Sequence, residues 1–115
     1  MVEGAGGALV PVTRSTTYAD IFAWWNLPVI VVARTALGTI NHSLLTLEAL
    51  RRRGITVLGI AFSGDENAHS EDAIVRLGQV RHLGRLPRLD PLNAETIAAA
   101  VAAQIDTGAF ACAAA

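Results

Sequence analysis

The sequence contains no lysine, and its nine Lys and Arg positions are all arginine. These arginines form no stripe that alternates with aromatic residues, and the formal net charge is −1. Nucleic-acid-binding domains concentrate positive charge on one face to neutralise phosphates. The composition therefore argues against a nucleic-acid partner.

The chain also has a single cysteine, Cys112, which lies in an alanine-rich stretch. One cysteine excludes an internal disulfide and is typical of a reducing compartment, so we expect a cytoplasmic protein. No motif surrounds Cys112, and we interpret it as a bystander thiol. No apolar run approaches the ~18 residues of a membrane span, and the start lacks a signal-peptide pattern. We therefore expect no membrane association.

Charged residues are scarce. They make up 17% of the 115 residues, whereas hydrophobic residues make up 52% and the mean hydropathy is +0.43. A small domain exposes much of its surface, so this composition leaves apolar side chains without polar cover. The length suits one domain. We expect part of its surface to face another polypeptide, either in an obligate oligomer or within a larger body.

Hydrophobic periodicity predicts alternating helices and strands. Apolar residues at three- and four-residue spacing indicate helices, and short continuous β-branched runs indicate parallel strands buried on both faces. The predicted order is a helix over 18–25, a strand over 29–33, a helix that opens at 38–41 and runs to 53, a strand over 55–62, a helix over 71–77, a strand over 81–86 and an alanine-rich helix after Asn93. This alternation predicts an α/β fold with a parallel sheet, flanking helices and right-handed crossovers.

Local signals mark where these helices begin and end. Thr17 and Asp20 form a capping-box pattern ahead of the first helix. Glu48 and Arg52 have the spacing and order of a favourable i,i+4 ion pair, and Gly54 suits a left-handed C-cap. Beyond the last helix, residues 109–115 form a low-complexity tail that we expect to be frayed.

Three motifs follow predicted strands directly. They are Leu37–Asn41 after the first strand, Ser63-Gly64 after the second and Pro87–Leu89 after the third. Ligands of open parallel sheets bind at the carboxyl ends of the strands. We therefore expect these motifs to lie at one edge of the sheet, where a ligand site is expected.

A further motif, Glu3 followed by Gly4-Ala5-Gly6-Gly7, has almost no side chains after its carboxylate. Bare backbone can approach a phosphate closely, and successive N–H groups can bind an anion. A carboxylate beside it can ligate Mg²⁺ together with phosphate oxygens. Short glycine motifs also arise by chance, so by spacing alone a flexible turn with a solvated Glu3 is the commoner case.

The segment from Gly38 to Asn41 opens a helix, and a helix N-terminus is an anion site because its N–H groups are unpaired. The alternative is an ordinary helix start capped by Thr39 or Asn41, and the two interpretations can coexist. No metal-ligand spacing surrounds His42, which we interpret as a structural histidine.

Four segments together resemble dethiobiotin synthetase. They are Val2-Glu-Gly-Ala-Gly-Gly, Leu27-Pro-Val-Ile-Val-Val-Ala-Arg, Leu37-Gly-Thr-Ile-Asn-His and Gly84-Arg-Leu-Pro-Arg-Leu. The third segment is the most specific, whereas Glu-Gly-Ala-Gly alone is shared with cobyrinate and cobyrate synthases. The resemblance runs from Val2 to about Ile105. It implies a P-loop-type α/β fold, with residues 1–108 as the C-terminal half of the family's domain.

The resemblance implies an ATP-dependent ligase of biotin biosynthesis that closes the ureido ring of dethiobiotin from 7,8-diaminononanoate and CO₂. It makes Glu3 the Mg²⁺ ligand, with Glu3, Gly4, Ala5 and Gly6 as part of the nucleotide site. It makes Gly38, Thr39, Ile40 and Asn41 the segment that receives the substrate's tail carboxylate across a homodimer interface. It places Ser63, Gly64, Pro87, Arg88 and Leu89 where the family contacts the base and ribose of the nucleotide.

The sequence departs from the family at two points. It has no Gly-x-x-x-x-Gly-Lys-Ser/Thr segment and no lysine, so no catalytic residue of the family is present and we expect the chain to be inactive alone. Ser63 stands where the family commonly has Asn, which puts base selectivity in doubt. Three interpretations stay open: a fragment of the ligase, one subunit of a split enzyme, and a non-catalytic binding or dimerisation module. The abrupt start at Val2 favours a fragment, and Glu3 favours the two enzymatic interpretations.

Overall fold

The computed structural model describes residues 1–111, which form five helices and one three-stranded sheet. In chain order these elements are α1 Tyr18–Trp25, β1 Val29–Arg34, α2 Thr39–Arg51, β2 Val57–Ser63, α3 Ala68–Gly78, β3 His82–Leu86, α4 Ala94–Gln104 and α5 Gly108–Ala111. No helix within this range is long and apolar enough to cross a membrane. The predicted α/β class, with a parallel sheet and flanking helices, is confirmed.

The sheet is parallel throughout and its strand order is β1-β2-β3. The register pairs Arg34 with Ser63, and Ser63 in turn with Leu86. The last residues of all three strands therefore lie side by side. This alignment brings the segments that follow the strands to one edge, which we call the carboxyl edge.

The core lies where α2 and α3 pack together and α2 covers β1 and β2. Its largest fully buried side chains come from α2, α3, β2 and β3: Phe62, Leu47, Leu50, Ile60, Ile74 and Leu83. Burial of one such side chain stabilises the folded state by about 1.5–3 kcal/mol. On the other elements, α4 packs against β3 and α5 against β2.

Strand β1 differs from the prediction of burial on both faces. Val31 and Ala33 are buried, but Val32 is 71% exposed and Arg34 is exposed too. The cause is position: β1 is one of the two edge strands, α2 packs against one of its faces, and Val32 and Arg34 lie on its second face. By contrast, β2 lies in the centre and exposes only Ser63.

Three predicted bounds differ most from the structure: α2 ends at Arg51 rather than at 53, β2 begins at Val57 rather than at 55, and α3 begins at Ala68 rather than at 71, because Asn67 caps it. The predicted capping box, ion pair and glycine conformation are confirmed. Asp20 accepts a hydrogen bond from the Thr17 backbone N–H at 2.8 Å, and its own N–H donates to the Thr17 hydroxyl at 3.4 Å, which completes the capping box. Glu48 and Arg52 form the expected ion pair at 3.5 Å. Gly54 has a φ of +70°, the left-handed conformation that the sequence indicates.

The chain beyond α4 returns to the sheet. Gly84 and Ile105 form an isolated antiparallel bridge, and the Asp106 N–H donates to the Leu83 carbonyl at 2.7 Å. Residues 109–111 were expected to be frayed, but they belong to α5, where Ala109 is 3% exposed. Residues 112–115, with Cys112, lie outside the described residues.

Candidate functional site

Hydrogen bonds connect the three segments of the carboxyl edge. The Thr35 N–H, just after β1, donates to the Ser63 carbonyl at 3.1 Å. The Gly64 N–H, just after β2, donates to the Leu86 carbonyl of β3 at 3.0 Å. The structure therefore joins the ends of neighbouring strands, and Ser63 lies exposed at the centre of this edge.

Gly64 is required for this close approach. Its φ is +126°, a conformation that side chains disfavour, and a Cβ there would lie 2.5 Å from the Thr35 hydroxyl oxygen. Gly64 is thus explained by packing at the carboxyl edge. Its carbonyl oxygen accepts a hydrogen bond from Arg85 Nη1 at 3.1 Å.

Sequence reasoning missed the polar cluster around Arg85. Glu71 is 8% exposed, and its Oε1 lies 3.5 Å from Arg85 Nε while its Oε2 lies 3.1 Å from His82 Nε2. The Asn67 N–H also donates to Glu71 Oε1 at 3.4 Å. The available signal was the spacing of Glu71 and Ile74, which lie three residues apart on the buried face of α3. A carboxylate there needs a partner.

The segment Pro87–Leu89 follows β3 at the same edge. Arg88 Nε lies 3.8 Å from Asp65 Oδ2, but both side chains are more than 80% exposed. Such surface pairs contribute little stability. Arg88 is therefore placed beside the β2–α3 loop and remains accessible to a ligand, as the nucleotide interpretation requires.

The start of α2 has the geometry of an anion site. Gly38 is the N-cap with a φ of +89° and makes no side-chain hydrogen bond, so the alternative of a cap by Thr39 or Asn41 is wrong. Within residues 1–111 the backbone N–H groups of Ile40 and Asn41 meet no acceptor. The first turn also has no acidic residue. Two N–H groups and the positive helix end are available to an external anion.

His42 lies beside this helix start rather than in the core. Its side chain is exposed, and its imidazole Cε1 is 3.7 Å from where a Gly38 Cβ would stand. The interpretation of His42 as a structural histidine stays a prediction. Across residues 1–111 no hydrogen bond joins this imidazole to the N–H groups of the first turn.

The glycine-rich segment packs on α1. A Cβ at Gly4 would lie 3.1 Å from Phe22 Cζ and 3.3 Å from the Tyr18 ring, and Gly6 has a φ of +84°. Glu3 is exposed, and across residues 1–111 no hydrogen bond or ion pair engages its carboxylate. No bond of the described chain connects Glu3–Gly6 to the carboxyl edge.

Within residues 1–111 no cluster of metal-ligating side chains forms. The described residues contain no group of three or more His, Cys, Asp or Glu side chains that could hold an ion. Mg²⁺, however, keeps several waters and needs only one or two carboxylates when phosphates supply other ligands. The exposed and unengaged Glu3 fits the part of one such carboxylate.

Comparison with known proteins identifies the family. Residues 1–96 match the sequence model of the family described as AAA domain. The chain belongs to the AAA domain family. Members of this family have the P-loop nucleoside triphosphatase fold, in agreement with the parallel sheet and its carboxyl-edge loops.

Relatives of this AAA domain are named ATP-dependent dethiobiotin synthetase BioD. That of Novosphingobium aromaticivorans is 66% identical over 102 residues, 89% of this chain and 50% of the relative. That of Rhodopseudomonas palustris strain BisB18 is 64% identical over 100 residues, which are 87% of this chain and 48% of the relative. That of Rhizorhabdus wittichii is 61% identical over 111 residues, which are 96% of this chain and 53% of the relative. The chain therefore spans about half the length of these relatives, and the resemblance to dethiobiotin synthetase is confirmed.

Proposed function

We propose that this chain is the C-terminal half of an ATP-dependent dethiobiotin synthetase, which acts in biotin biosynthesis. The observation that carries the proposal is that the motifs after the three strands lie together at the carboxyl edge of the sheet. The chain is also 66% identical to such an enzyme over 102 residues. In this role the chain contributes to nucleotide and substrate binding. The residues that act on the phosphoryl group lie in the other half.

The proposed reaction joins CO₂ to both amines of 7,8-diaminononanoate. One amine takes up CO₂ as a carbamate, and a carbamate oxygen attacks the γ-phosphorus of ATP as ADP leaves. The second amine then attacks the carbamoyl carbon and expels inorganic phosphate, which closes the ureido ring. Phosphoryl transfer needs positioned cations around the γ-phosphate. Because the chain has no lysine, we assign it no catalytic residue.

The nucleotide-binding role rests on two parts of the chain. Ser63 exposes a hydroxyl at the centre of the carboxyl edge, and Gly64, Pro87, Arg88 and Leu89 flank it on the two following loops. We propose that these residues contact the base and ribose. Glu3 would hold Mg²⁺, which neutralises phosphate charge when bound, and Gly4, Ala5 and Gly6 would line the phosphate side with bare backbone.

The substrate-binding role belongs to the start of α2. The uncapped N–H groups of Ile40 and Asn41, beside Gly38 and Thr39, suit a carboxylate better than an amine or an apolar group. We propose that this segment receives the tail carboxylate of a diamine bound chiefly by the partner subunit of a homodimer. The 98% exposed Leu37 precedes it, as expected of a segment at a subunit interface.

A second candidate is a non-catalytic dimerisation module or a natural split subunit. The exposed apolar side chains favour a polypeptide partner, since Trp24 is 72% and Val32 is 71% exposed. A pure dimerisation module, however, has no need for an uncapped helix start and an unengaged Glu3. Activity assays separate the enzymatic candidates from the dimerisation module.

The test joins this chain to the half of the N. aromaticivorans relative that it does not match. We expect this chimaera to form dethiobiotin from diaminononanoate, ATP, Mg²⁺ and bicarbonate, and the chain alone to form none. Turnover by the chain alone would contradict the argument from the missing lysine. A folded chimaera that makes no product would favour the dimerisation module.

A further inference from the structure

The β2–α3 loop, residues 64–67, is held at both ends by charged side chains from other elements. At its start the Gly64 carbonyl accepts a hydrogen bond from Arg85 Nη1 of β3 at 3.1 Å. At its end the Asn67 N–H donates to Glu71 Oε1 of α3 at 3.4 Å. Other contacts hold the same ends, since the Gly64 N–H donates to the Leu86 carbonyl at 3.0 Å and Asn67 Nδ2 donates to the Thr35 carbonyl at 3.4 Å. The two charged side chains therefore add a second set of contacts to the loop.

The two holding groups are bound to each other. Arg85 Nε lies 3.5 Å from Glu71 Oε1, and the two side chains are 21% and 10% exposed. Hydrogen bonds to charged groups are stronger than neutral ones, and a shielded pair is little screened by salt. Removal of one member takes a charged partner from the other, which stays shielded from water. The pair therefore links β3 to α3 as one unit.

Further contacts orient this unit. His82 Nε2 lies 3.1 Å from Glu71 Oε2, and the imidazole stacks on Phe62 with ring centroids 5.3 Å apart. Glu66 also approaches Arg85 at 3.8 Å, but its side chain is 77% exposed and contributes little. The Glu71 carboxylate thus has one oxygen toward the loop and the other toward His82, which fixes its plane.

The start of the loop adjoins Ser63, the last residue of β2, which pairs with Arg34 and Leu86 in the sheet. Ser63 precedes Gly64 directly, its carbonyl is bound by the Thr35 N–H, and its side chain is exposed at the carboxyl edge. A serine hydroxyl is short and has a single donor. Its contact with a ligand therefore depends closely on where the backbone holds it.

We propose that Arg85 is a positioning residue for nucleotide binding. It holds the Gly64 carbonyl, and Glu71 holds Arg85, so that the Ser63 hydroxyl keeps a fixed direction toward the base. Arg85 itself contacts no nucleotide in this proposal. The inference rests on the proposed function for its nucleotide part, whereas its structural part concerns this chain alone.

The first test measures backbone amide hydrogen exchange by NMR on the full 115-residue chain. We expect Arg85→Met to accelerate exchange of the Gly64 and Thr35 amides roughly tenfold or more relative to the Phe62 amide, since a charged hydrogen bond is lost. Arg85→Lys keeps the charge beside Glu71 but not the forked geometry, and should give a smaller acceleration. The matched control is Arg76→Met, because Arg76 is exposed on α3. Unchanged Gly64 exchange in both Arg85 variants would overturn the proposal.

The second test uses the chimaera described above. We expect Arg85→Lys to raise the KM for ATP several-fold and to reduce discrimination between ATP and GTP, with kcat and the KM for the diamine within about twofold of the parent. Accelerated exchange with unchanged nucleotide parameters would overturn the positioning role. A parent chimaera without activity would overturn the proposed function and the nucleotide part of the inference, while amide exchange still decides whether Arg85 holds the loop. If Arg85→Met does not fold, Arg85→Lys decides both measurements.

Discussion

At the scale of single residues, Gly84 shows how one missing side chain permits a tertiary contact. Its φ is +118°, and a Cβ there would overlap the Gln104 carbonyl oxygen. Gly84 also forms the bridge with Ile105 that returns the chain to β3. The glycine of the Gly84-Arg-Leu-Pro-Arg-Leu segment therefore serves packing against the end of α4.

We predict that Gly84→Ala lowers the free energy of unfolding by about 2–4 kcal/mol, because it adds both a left-handed penalty and an overlap. Urea denaturation followed by circular dichroism measures this loss. Gly7→Ala is the matched control, since a Cβ at Gly7 meets nothing within 4 Å, and it should stay within about 0.5 kcal/mol of the parent. Equal midpoints for the two variants would contradict the packing argument.

Asp20 makes folding stability dependent on pH. A hydrogen bond from the Arg53 guanidinium, followed by those from the Thr17 backbone and hydroxyl, holds the pKa of Asp20 well below its usual value. Arg53 Nε lies 2.8 Å from Asp20 Oδ1. The folded state therefore binds fewer protons than the unfolded state, whose Asp pKa is about 3.9. The contribution of Asp20 is present above about pH 4 and is lost as the pH falls below it.

We predict that Asp20→Asn lowers the Tm at pH 7 and flattens the fall of Tm between about pH 4 and pH 2. Thermal unfolding at several pH values measures both effects. Asp72→Asn is the control, because Asp72 is exposed on α3 and makes no ion pair with the residues the structure describes. Parallel Tm curves for the parent and Asp20→Asn would show that this carboxyl does not contribute to acid sensitivity.

At the scale of elements, the start of α2 combines an uncapped backbone with an exposed residue at its third position. Asn41 is exposed and carries no charge. A carboxylate at this position stabilises a helix through its dipole. The same carboxylate would repel a bound anion, so stability and binding should change in opposite directions.

We predict that Asn41→Asp raises the stability of the chain by about 0.3–1 kcal/mol and, in the chimaera, raises the KM for the diamine several-fold without changing the KM for ATP. Asn41→Ser is the neutral control for loss of the amide. Gly38→Val is less informative, because the φ of +89° at Gly38 strains any side chain. An unchanged KM for the diamine with Asn41→Asp would remove α2 from the substrate site.

At the scale of the whole molecule, the high content of apolar residues leaves apolar side chains exposed on the second face of β1. Val31 is 8% exposed and Val32 is 71% exposed, although the two are chemically identical neighbours. The relatives are about twice as long as this chain. If their other half covers β1, Val32 is buried only in the complete protein.

We predict that Val32→Thr changes the unfolding free energy of the chain alone by less than about 0.5 kcal/mol. In the chimaera the same substitution should destabilise by about 1–3 kcal/mol, since it buries a hydroxyl without a partner. Val31→Thr is the matched control and should destabilise both proteins. A neutral effect of Val32→Thr in both proteins would mean that the second face of β1 stays uncovered.

The sequence alone determined most of the elements and the local contacts at some of their ends, because these depend on neighbours within about four residues. Thr17 with Asp20 and Glu48 with Arg52 are contacts of this short range, and the structure contains both. The parallel sheet also followed from local periods, because strands that alternate with helices favour crossover connections. The placement of three motifs at the carboxyl edge followed from that topology.

Only the tertiary structure decided which surfaces are covered and which polar groups meet. The exposure of Val32 depends on what lies over β1, and periodicity within the strand carries no information about that neighbour. The contact of Arg85 with Gly64 joins residues 21 apart, and Glu71 reaches Arg85 from another element. Such contacts arise from strand register and from the packing of α3 on the sheet, since distant segments come together only when the whole chain folds.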